Sequence, residues 1–482
     1  MRLNPELRRY LWLEISVGRL LFMPLVLGLA LLLVAVWTID PTKPAGGQDF
    51  LATLAGTSSV GYALSVILWG ARAAASAMVR EVAERTWDQQ RLSSTGAWSM
   101  TWGKLLGSTI FVWYGCLIML AVMLVSMGLW EHHYDAVSKE TGQSIAVTLL
   151  QLTVGFVALT ILLEASVLLA AMTSVSRRES ARQLDVTIAQ IAVIVIAVFV
   201  FGMLDNLESG QQIPWFSHVF DAVWFAVVSA VLFAGWAVIG LWRRMRVELQ
   251  MTNMPVMWPL FALFTGFWLA GLIMGADGAT GVTWTVVIVT VTAMFLTYVP
   301  AVLERVNPVH LRRLIEAIGA GQIGSALRHA PLWIVSHVLV LVGVVISVVL
   351  LMLMEPGEAI DVADELAGVD LQSLAAGTMV AAYLFVTRDL MLLVFVWLRG
   401  RARRAFMTWL IWMVLLYGLA PLIVASVDAY TFLPAFAPAW DVPFVDLSIP
   451  PVLWPAAEVV LVGLLLRWRW RRYAASSLTS GG

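Results

Sequence analysis

Long apolar runs broken by short polar stretches set the rhythm of this chain. A membrane-spanning helix needs about 20 mostly apolar residues. Twelve segments qualify: 18–38, 51–71, 105–128, 146–173, 184–204, 219–241, 256–275, 281–303, 331–354, 374–398, 405–426 and 451–468. The first overlaps LLFMPLVLGLALLLVAVWTI (20–39) and follows MRLNPELRRYLWLEI, which carries acids as well as bases. A cleavable leader has a short basic start and an apolar stretch of about 7–15 residues, so this start is expected to be retained.

Two polar stretches carry helical signals of their own. In LNPELRRYLWLEI (3–15), Asn4 suits a helix cap, Pro5 the first turn and Glu6 the positive helix end. Leu7, Tyr10, Leu11 and Ile15 share a face with Arg8 and Arg9 off it, which predicts a helix lying in the membrane interface. Between spans two and three, AMVREVAERTWDQQR (77–91) predicts a helix, LSSTG a turn, and a second helix starts near Ala97. Trp87 and the charges around it are expected to point into the cytoplasm, where Trp can anchor in a partner's pocket. The plainer reading, which the residues alone favour, is an ordinary solvated loop with Trp87 and Trp98 at the membrane interface.

Basic residues orient the spans, because cytoplasmic loops retain Lys and Arg. With the N-terminus inside, 26 of the 30 basic residues fall on one side, in clusters such as Arg72/Arg80/Arg85/Arg91/Lys104, Arg243/Arg244/Arg246 and Arg467/Arg469/Arg471/Arg472. Both termini are therefore expected in the cytoplasm. The outer stretch MEPGEAIDVADELAGVD (354–370) is acidic and has no base.

The chain also divides into two similar halves, 1–250 and 251–482, of six spans each. The longest cytoplasmic loop of each half follows its second span. The fourth spans end alike, with Glu164 thirteen residues before Arg177 and Asp389 twelve before Arg401. Six spans per half give both halves the same orientation, as in parallel-repeat transporters.

Composition agrees with the pattern. The 482 residues are 60% apolar and 13% charged, against about 25% charged in a soluble domain. A net charge of −1 offers no basis for nucleic-acid binding. The single cysteine, Cys116, rules out an intrachain disulfide. The preponderance of Arg over Lys suits a bacterial protein, and the spans then place it in the inner membrane. The paired histidines of EHHYD (131–135) lack further placed ligands, so no metal site is expected.

Gly103-Lys104 ends the loop as a phosphate-binding loop ends, but the spacing fails. That motif needs G-x-x-x-x-G-K-[ST], whereas position 98 is Trp and position 105 is Leu. Nucleotide binding is rejected. Charge inside the spans is the other informative feature: Glu164, Arg388, Asp389 and Glu458, with His337 in the ninth span. Such groups face a cavity or each other. Arg388 and Asp389 are sequence neighbours and point about 100° apart on a helix, so they need not pair.

With these residues in view, the loop resembles the cytoplasmic loop of ABC-2 type transporter permeases. Glu81, Glu84, Thr86, Trp87, Asp88, Leu92, Ser93, Thr95, Gly103 and Lys104 follow the family's order. Arg85 stands where Gly is usual, and the Pro of the turn is absent. The segment LLAAMTSVSRRESA (168–181) is similar to the family's fourth-span ending, and the resemblance covers roughly 1–245.

What the resemblance implies is a chemically passive membrane subunit of an exporter, with an N-terminal elbow helix. It would be driven by separate cytoplasmic ATPase subunits that bind ATP and Mg. Glu81, Glu84, Arg85, Thr86, Trp87, Asp88 and Lys104 would then form the coupling region, with Arg312, Arg313 and Glu316 in a diverged second loop. The chain would act with two ATPases as a fused pseudo-dimer, or pair with a second copy. No cofactor is expected in the chain itself. The alternative is an ion-coupled secondary transporter of two six-helix repeats working through Glu164, Asp389 and Glu458. A membrane enzyme would need catalytic groups clustered at one depth, and the sequence offers none.

Overall fold

The computed structural model describes residues 4–38, 46–92, 95–133, 144–177, 212–251, 253–273, 279–304, 308–354, 371–398, 402–427, 432, 435–436 and 452–479. Among them nine helices are long and apolar enough to cross a membrane, the architecture of an all-α multi-pass membrane protein. Each coincides with one of the twelve expected spans. Of the other three, 184–204 lies outside the described residues. The seventh is a shorter apolar helix, Met257–Ile273. The twelfth is part of Leu453–Thr479, whose apolar start is interrupted by Glu458, Arg467 and Arg469.

Two compact units make up the chain: Met1–Ile213 with Phe220–Asn253, and Pro214–Val219 with Met254–Gly482. In the first unit the helices are α1 (Pro5–Glu14), α2 (Val17–Thr38), α3 (Gly46–Leu64), α4 (Ala71–Ala83), α5 (Thr86–Arg91), α6 (Ala97–Ser108), α7 (Ile110–His133), α8 (Ile145–Arg177) and α9 (Ala222–Glu248). A π-helical turn, Ser65–Gly70, joins α3 to α4. The second span's helix thus runs on to Ala83, twelve residues past its expected end at 71.

Small residues let these helices approach closely. Ala71, Ala74, Ala75, Ala165 and Ala171 are fully buried where α4 meets α8. In a membrane, where lipid is as apolar as leucine, such contacts replace the hydrophobic effect as the source of packing. Leu25, Leu29 and Leu33 of α2 point outward instead, as lipid-facing side chains do. Hydroxyls inside the spans bond their own helix, as Ser58 does to the Leu54 carbonyl and Thr109 to that of Leu105, which satisfies these donors in an apolar setting.

α1 is a separate helix and not an extension of the first span. Asn4 Oδ1 accepts from the Glu6 amide at 3.0 Å, and the chain turns extended at Ile15 before α2 begins. Of the expected face, Tyr10 is buried and Leu7, Leu11 and Ile15 are half-buried. Glu6 and Tyr10 are turned inward, while Trp12 and Leu13 are exposed.

The second unit contains α10 (Met257–Ile273), α11 (Ala279–Leu303), α12 (Pro308–Gly319), α13 (Ile323–His329), α14 (Leu332–Leu353), α15 (Leu371–Trp397), α16 (Ala402–Val414), α17 (Ala420–Ser426) and α18 (Leu453–Thr479). A second π-helical turn, Leu415–Leu419, joins α16 to α17. Helix α15 is at the centre: it packs on α11, α14, α16 and α18.

One small β-hairpin departs from the all-helical expectation. Gln212–Trp215 and His218–Asp221 pair through the turn Phe216-Ser217, with Phe216 in the left-handed region at φ 53°. Within the second unit the Trp215 indole fills the space above Gly271 and donates to the Trp268 carbonyl at 3.1 Å. Asp221 then caps α9 by accepting from the Trp224 amide at 3.0 Å.

Candidate functional site

The loop after the second span is built around one buried carboxylate. Glu81, near the end of α4, accepts from Tyr10 at 2.8 Å and from Arg9 on one oxygen, and from Lys104 on the other. Lys104 also donates to Gln90 Oε1 at 2.9 Å and lies 3.7 Å from Glu6. Its ammonium sits 4.8 Å from the centre of the Trp87 ring, a cation–π placement. Glu6 pairs with Arg9 one turn along α1 at 2.9 Å. Two acids and two bases from α1, α4 and α6 therefore form a cluster of zero net charge.

Local sequence explains how the groups meet. Gly103 and Gly107 lie one turn apart on α6, facing α1. A Cβ at Gly103 would collide with Glu6, and one at Gly107 would fall 2.6 Å from the Tyr10 ring. Asn4 Nδ2 closes the contact by donating to the Ser99 carbonyl at 2.5 Å. The Gly-Lys pair that imitated a phosphate loop thus has two structural jobs: Gly103 admits α1, and Lys104 neutralises Glu81. Burial pushes the Lys104 ammonium below its ordinary value, against the pull of Glu81. Tyr10 is pushed the other way, by burial and by the neighbouring Glu81 charge, so its hydroxyl stays a donor.

The expected helix 77–91 is broken at Glu84-Arg85. Arg85 has φ 59° and ψ 17°, the left-handed region that favours glycine. Its amide donates to the Val82 carbonyl at 3.2 Å, and the Thr86 hydroxyl to the Glu81 carbonyl at 3.2 Å. This pattern closes α4 as an αL cap closes a helix. Arg85 therefore occupies a position whose backbone suits the Gly usual in ABC-2 permeases.

Trp87 corrects the sequence reading. Its side chain is buried, with 5% exposure, in a core with Met78, Met100, Leu168 and Met245. It roots α5 and does not point outward. The exposed face of the short helix and its flanks instead carries Glu84, Arg85, Asp88, Gln89 and, at 88% exposure, Leu92. Ser93, which the family pattern includes, lies outside the described residues, as do the Arg178–Arg182 and Arg399–Arg401 stretches.

The second loop is built differently. In α12, Arg312 and Glu316 form an exposed pair at 2.8 Å, a contact worth about 0.3–0.5 kcal/mol. Leu311, Leu314 and Ala317 hold the helix from beneath, with Ala326 of α13. Arg313 is exposed.

Of the charges inside the spans, Glu164 on α8 is buried with neutral donors only. Thr109 and the Trp113 indole donate to Oε2 at 3.1 and 3.0 Å. Oε1 faces Gly70 of the π turn, where a Cβ would come within 3.0 Å. Asp389 on α15 has a different setting. Arg388 Nε donates to Oδ1 at 3.0 Å, and Tyr298 and Tyr417 donate to Oδ2 at 2.8 and 2.6 Å. The adjacent Arg388 and Asp389 pair, which the sequence argument leaves open. The long Arg side chain bends back, supported by the Phe385 and Tyr417 rings at 4.8 and 5.1 Å. Its other arm reaches Glu458 of α18 at 2.5 Å. His337 is a packed core residue, bonded to Thr387 at 3.1 Å and stacked on Tyr383 at 4.7 Å.

The sequence reading missed the roles of Glu6, Tyr10, Gly107, Tyr298 and Tyr417. Two signals were available. Gly103 and Gly107 are a small-x-x-x-small pair of the type that lets membrane helices approach. A lysine opening an apolar span needs a buried partner. Compared with known protein families, curated proteins and solved structures, the chain matches none.

Proposed function

We propose that the chain is the membrane subunit of an ATP-driven ABC-2 type exporter in a bacterial inner membrane. It is chemically passive and is driven by separate cytoplasmic ATPase subunits, two per complex, which bind ATP and Mg. The observation that carries this reading is the mounting of α5. A six-residue helix on the basic side of the membrane has a buried Trp root, contacts from Trp87 and Gln90 to Lys104 of the ionic cluster, and an exposed polar face. A push on that face reaches α4 and α6, each continuous or nearly so with a span. A solvated connecting loop has no use for such rigidity.

In this reading the docking face is Glu84, Arg85, Asp88, Gln89 and Leu92, while Glu81, Thr86, Trp87 and Lys104 hold it in place. Helix α1 lies in the interface as an elbow, with Trp12 and Leu13 toward lipid. Arg312, Arg313 and Glu316 offer the second, diverged contact, so one chain supplies both docking loops of a pseudo-dimer.

The test is co-purification with the ATPase encoded beside it. Asp88→Arg and Leu92→Asp, both on the surface, should release the ATPase and abolish ATP-dependent transport in a correctly folded permease. Retention of the ATPase by both variants would sink the assignment. A second reading, the ion-coupled secondary transporter, draws support from the acids buried at Glu164 and Asp389. Substrate movement in vesicles lacking any ATPase would favour it.

A further inference from the structure

The two ionic clusters of the protein differ in charge balance. Around Glu81 two acids face two bases. In the second unit one guanidinium, Arg388, serves two carboxylates, Asp389 and Glu458. Among the described residues no further cation pairs with either acid, so this cluster carries one uncompensated negative charge. It does so deep in a span. Asp389 lies eight residues before the end of α15 at Trp397, about 12 Å along a helix rising 1.5 Å per residue. An unbalanced charge at that depth is costly, and such groups mark ion or proton pathways.

The two carboxylates do not share the burden equally. Asp389 is saturated: Oδ1 takes Arg388, and Oδ2 takes Tyr298 and Tyr417. Trp409 of α16 holds the same residue's backbone carbonyl at 3.0 Å. Among the described residues Glu458 has one polar partner, the Arg388 Nη1 at 2.5 Å, and its side chain is 25% exposed against 1% for Asp389. Every element packed on α15 contributes its groups: Tyr298 from α11, His337 from α14, Trp409 from α16, Tyr417 from the π turn and Glu458 from α18. Tyr383, Arg388 and Asp389 belong to α15 itself. None of these but Arg388 and Asp389 brings charge to Glu458.

We propose that Glu458 is a proton-exchange site inside the membrane part of the second unit, with Arg388 as its fixed counter-charge and Asp389 as a fixed neighbour of the same sign. A proton from water adds to the carboxylate to give the acid, and the cluster becomes neutral. The ion pair that ties α18 to α15 becomes an ordinary hydrogen bond, and α18 is loosened. Return of the proton to water restores the tie. A metal cation fits poorly, because the Arg388 guanidinium already occupies the carboxylate and would repel it. This inference goes beyond the exporter reading and needs no ATPase, so either can fail without the other.

The test uses the full chain alone in lipid nanodiscs. Infrared difference spectra between alkaline and acidic buffer read the C=O stretch of protonated carboxyls. A band that appears on acidification should be lost in Glu458→Gln and should remain in Glu164→Gln. If Glu458→Gln does not fold, Glu458→Asp decides: a displaced band and midpoint support the site. A wild-type spectrum in the variant that folds overturns the proposal. So does a Glu458 band that answers to sodium at fixed pH and not to pH.

Discussion

Lys104 and Glu81 form a buried ion pair between α6 and α4, 23 residues apart in sequence. The pair closes a ring that also includes α1 and the root of α5. Breaking a buried pair by removing one partner typically costs about 3–5 kcal/mol, because the other charge is left stranded. Lys104→Met and Glu81→Gln should each lower unfolding stability in detergent by that order. The double variant should cost less than the sum, by about 1–3 kcal/mol. Additive losses would show that the two side chains do not sense each other.

Arg85 should be improvable. A non-glycine residue in the left-handed region costs roughly 1 kcal/mol, which glycine avoids. Arg85→Gly should therefore raise the thermal stability of the purified permease, by up to about 1 kcal/mol after the added entropy of the unfolded chain. Arg85→Val should lower it, since a β-branched residue is least tolerant of positive φ. A destabilising Arg85→Gly would mean that the side chain matters more than the backbone.

The seating of α1 can be read by cross-linking. Asn4→Cys with Ser99→Cys places thiols on residues now joined by a 2.5 Å hydrogen bond. The native Cys116 is buried and should not interfere. The pair should cross-link readily, and Gly107→Leu should abolish the product, because the added side chain occupies the place of the Tyr10 ring. Undiminished cross-linking in Gly107→Leu would remove the glycine pair from the account.

Span positions were legible in the sequence because one rule governs them: backbone buried in lipid must be helical, and helices that cross need long apolar runs. Even the α5–α6 region was visible in outline, through Thr86-Trp87-Asp88 and Gly103-Lys104. What the linear pattern could not show was direction. Trp87 looked like an outward anchor because its neighbours are charged, yet the break at Arg85 turns its helix so that the indole enters the core. Cα geometry alone left open whether Arg388 and Asp389 pair. The flexible guanidinium stem bends back across that angle. Tyr298 and Tyr417 could not be assigned to Asp389, because hydroxyls that meet one carboxylate from two other helical segments leave no local trace.

Glu164 lies thirteen residues before Arg177 and Asp389 twelve before Arg401, and the structure predicts that the two acids tolerate neutralisation differently. Glu164 is held by the Thr109 hydroxyl and the Trp113 indole, both neutral donors. A glutamine carbonyl can accept from both, and no cation among the described residues is stranded by the change. Glu164→Gln should cost less than about 1 kcal/mol, the scale of a single net hydrogen bond. Asp389→Asn removes the counter-charge that Arg388 meets at 2.9 Å, leaving the guanidinium to Glu458 alone. Glu458 still pairs with the guanidinium, so the loss is that of hydrogen bonds to a charged acceptor, about 1.5–3 kcal/mol each. Glu164→Leu lies between, since it leaves a buried indole N–H without an acceptor, at about 1–3 kcal/mol. Denaturant titration of the three variants under one condition gives the order directly. If Glu164→Gln proved as damaging as Asp389→Asn, Glu164 would have to meet a cation beyond the described residues, and the two halves would be closer in chemistry than their visible contacts make them.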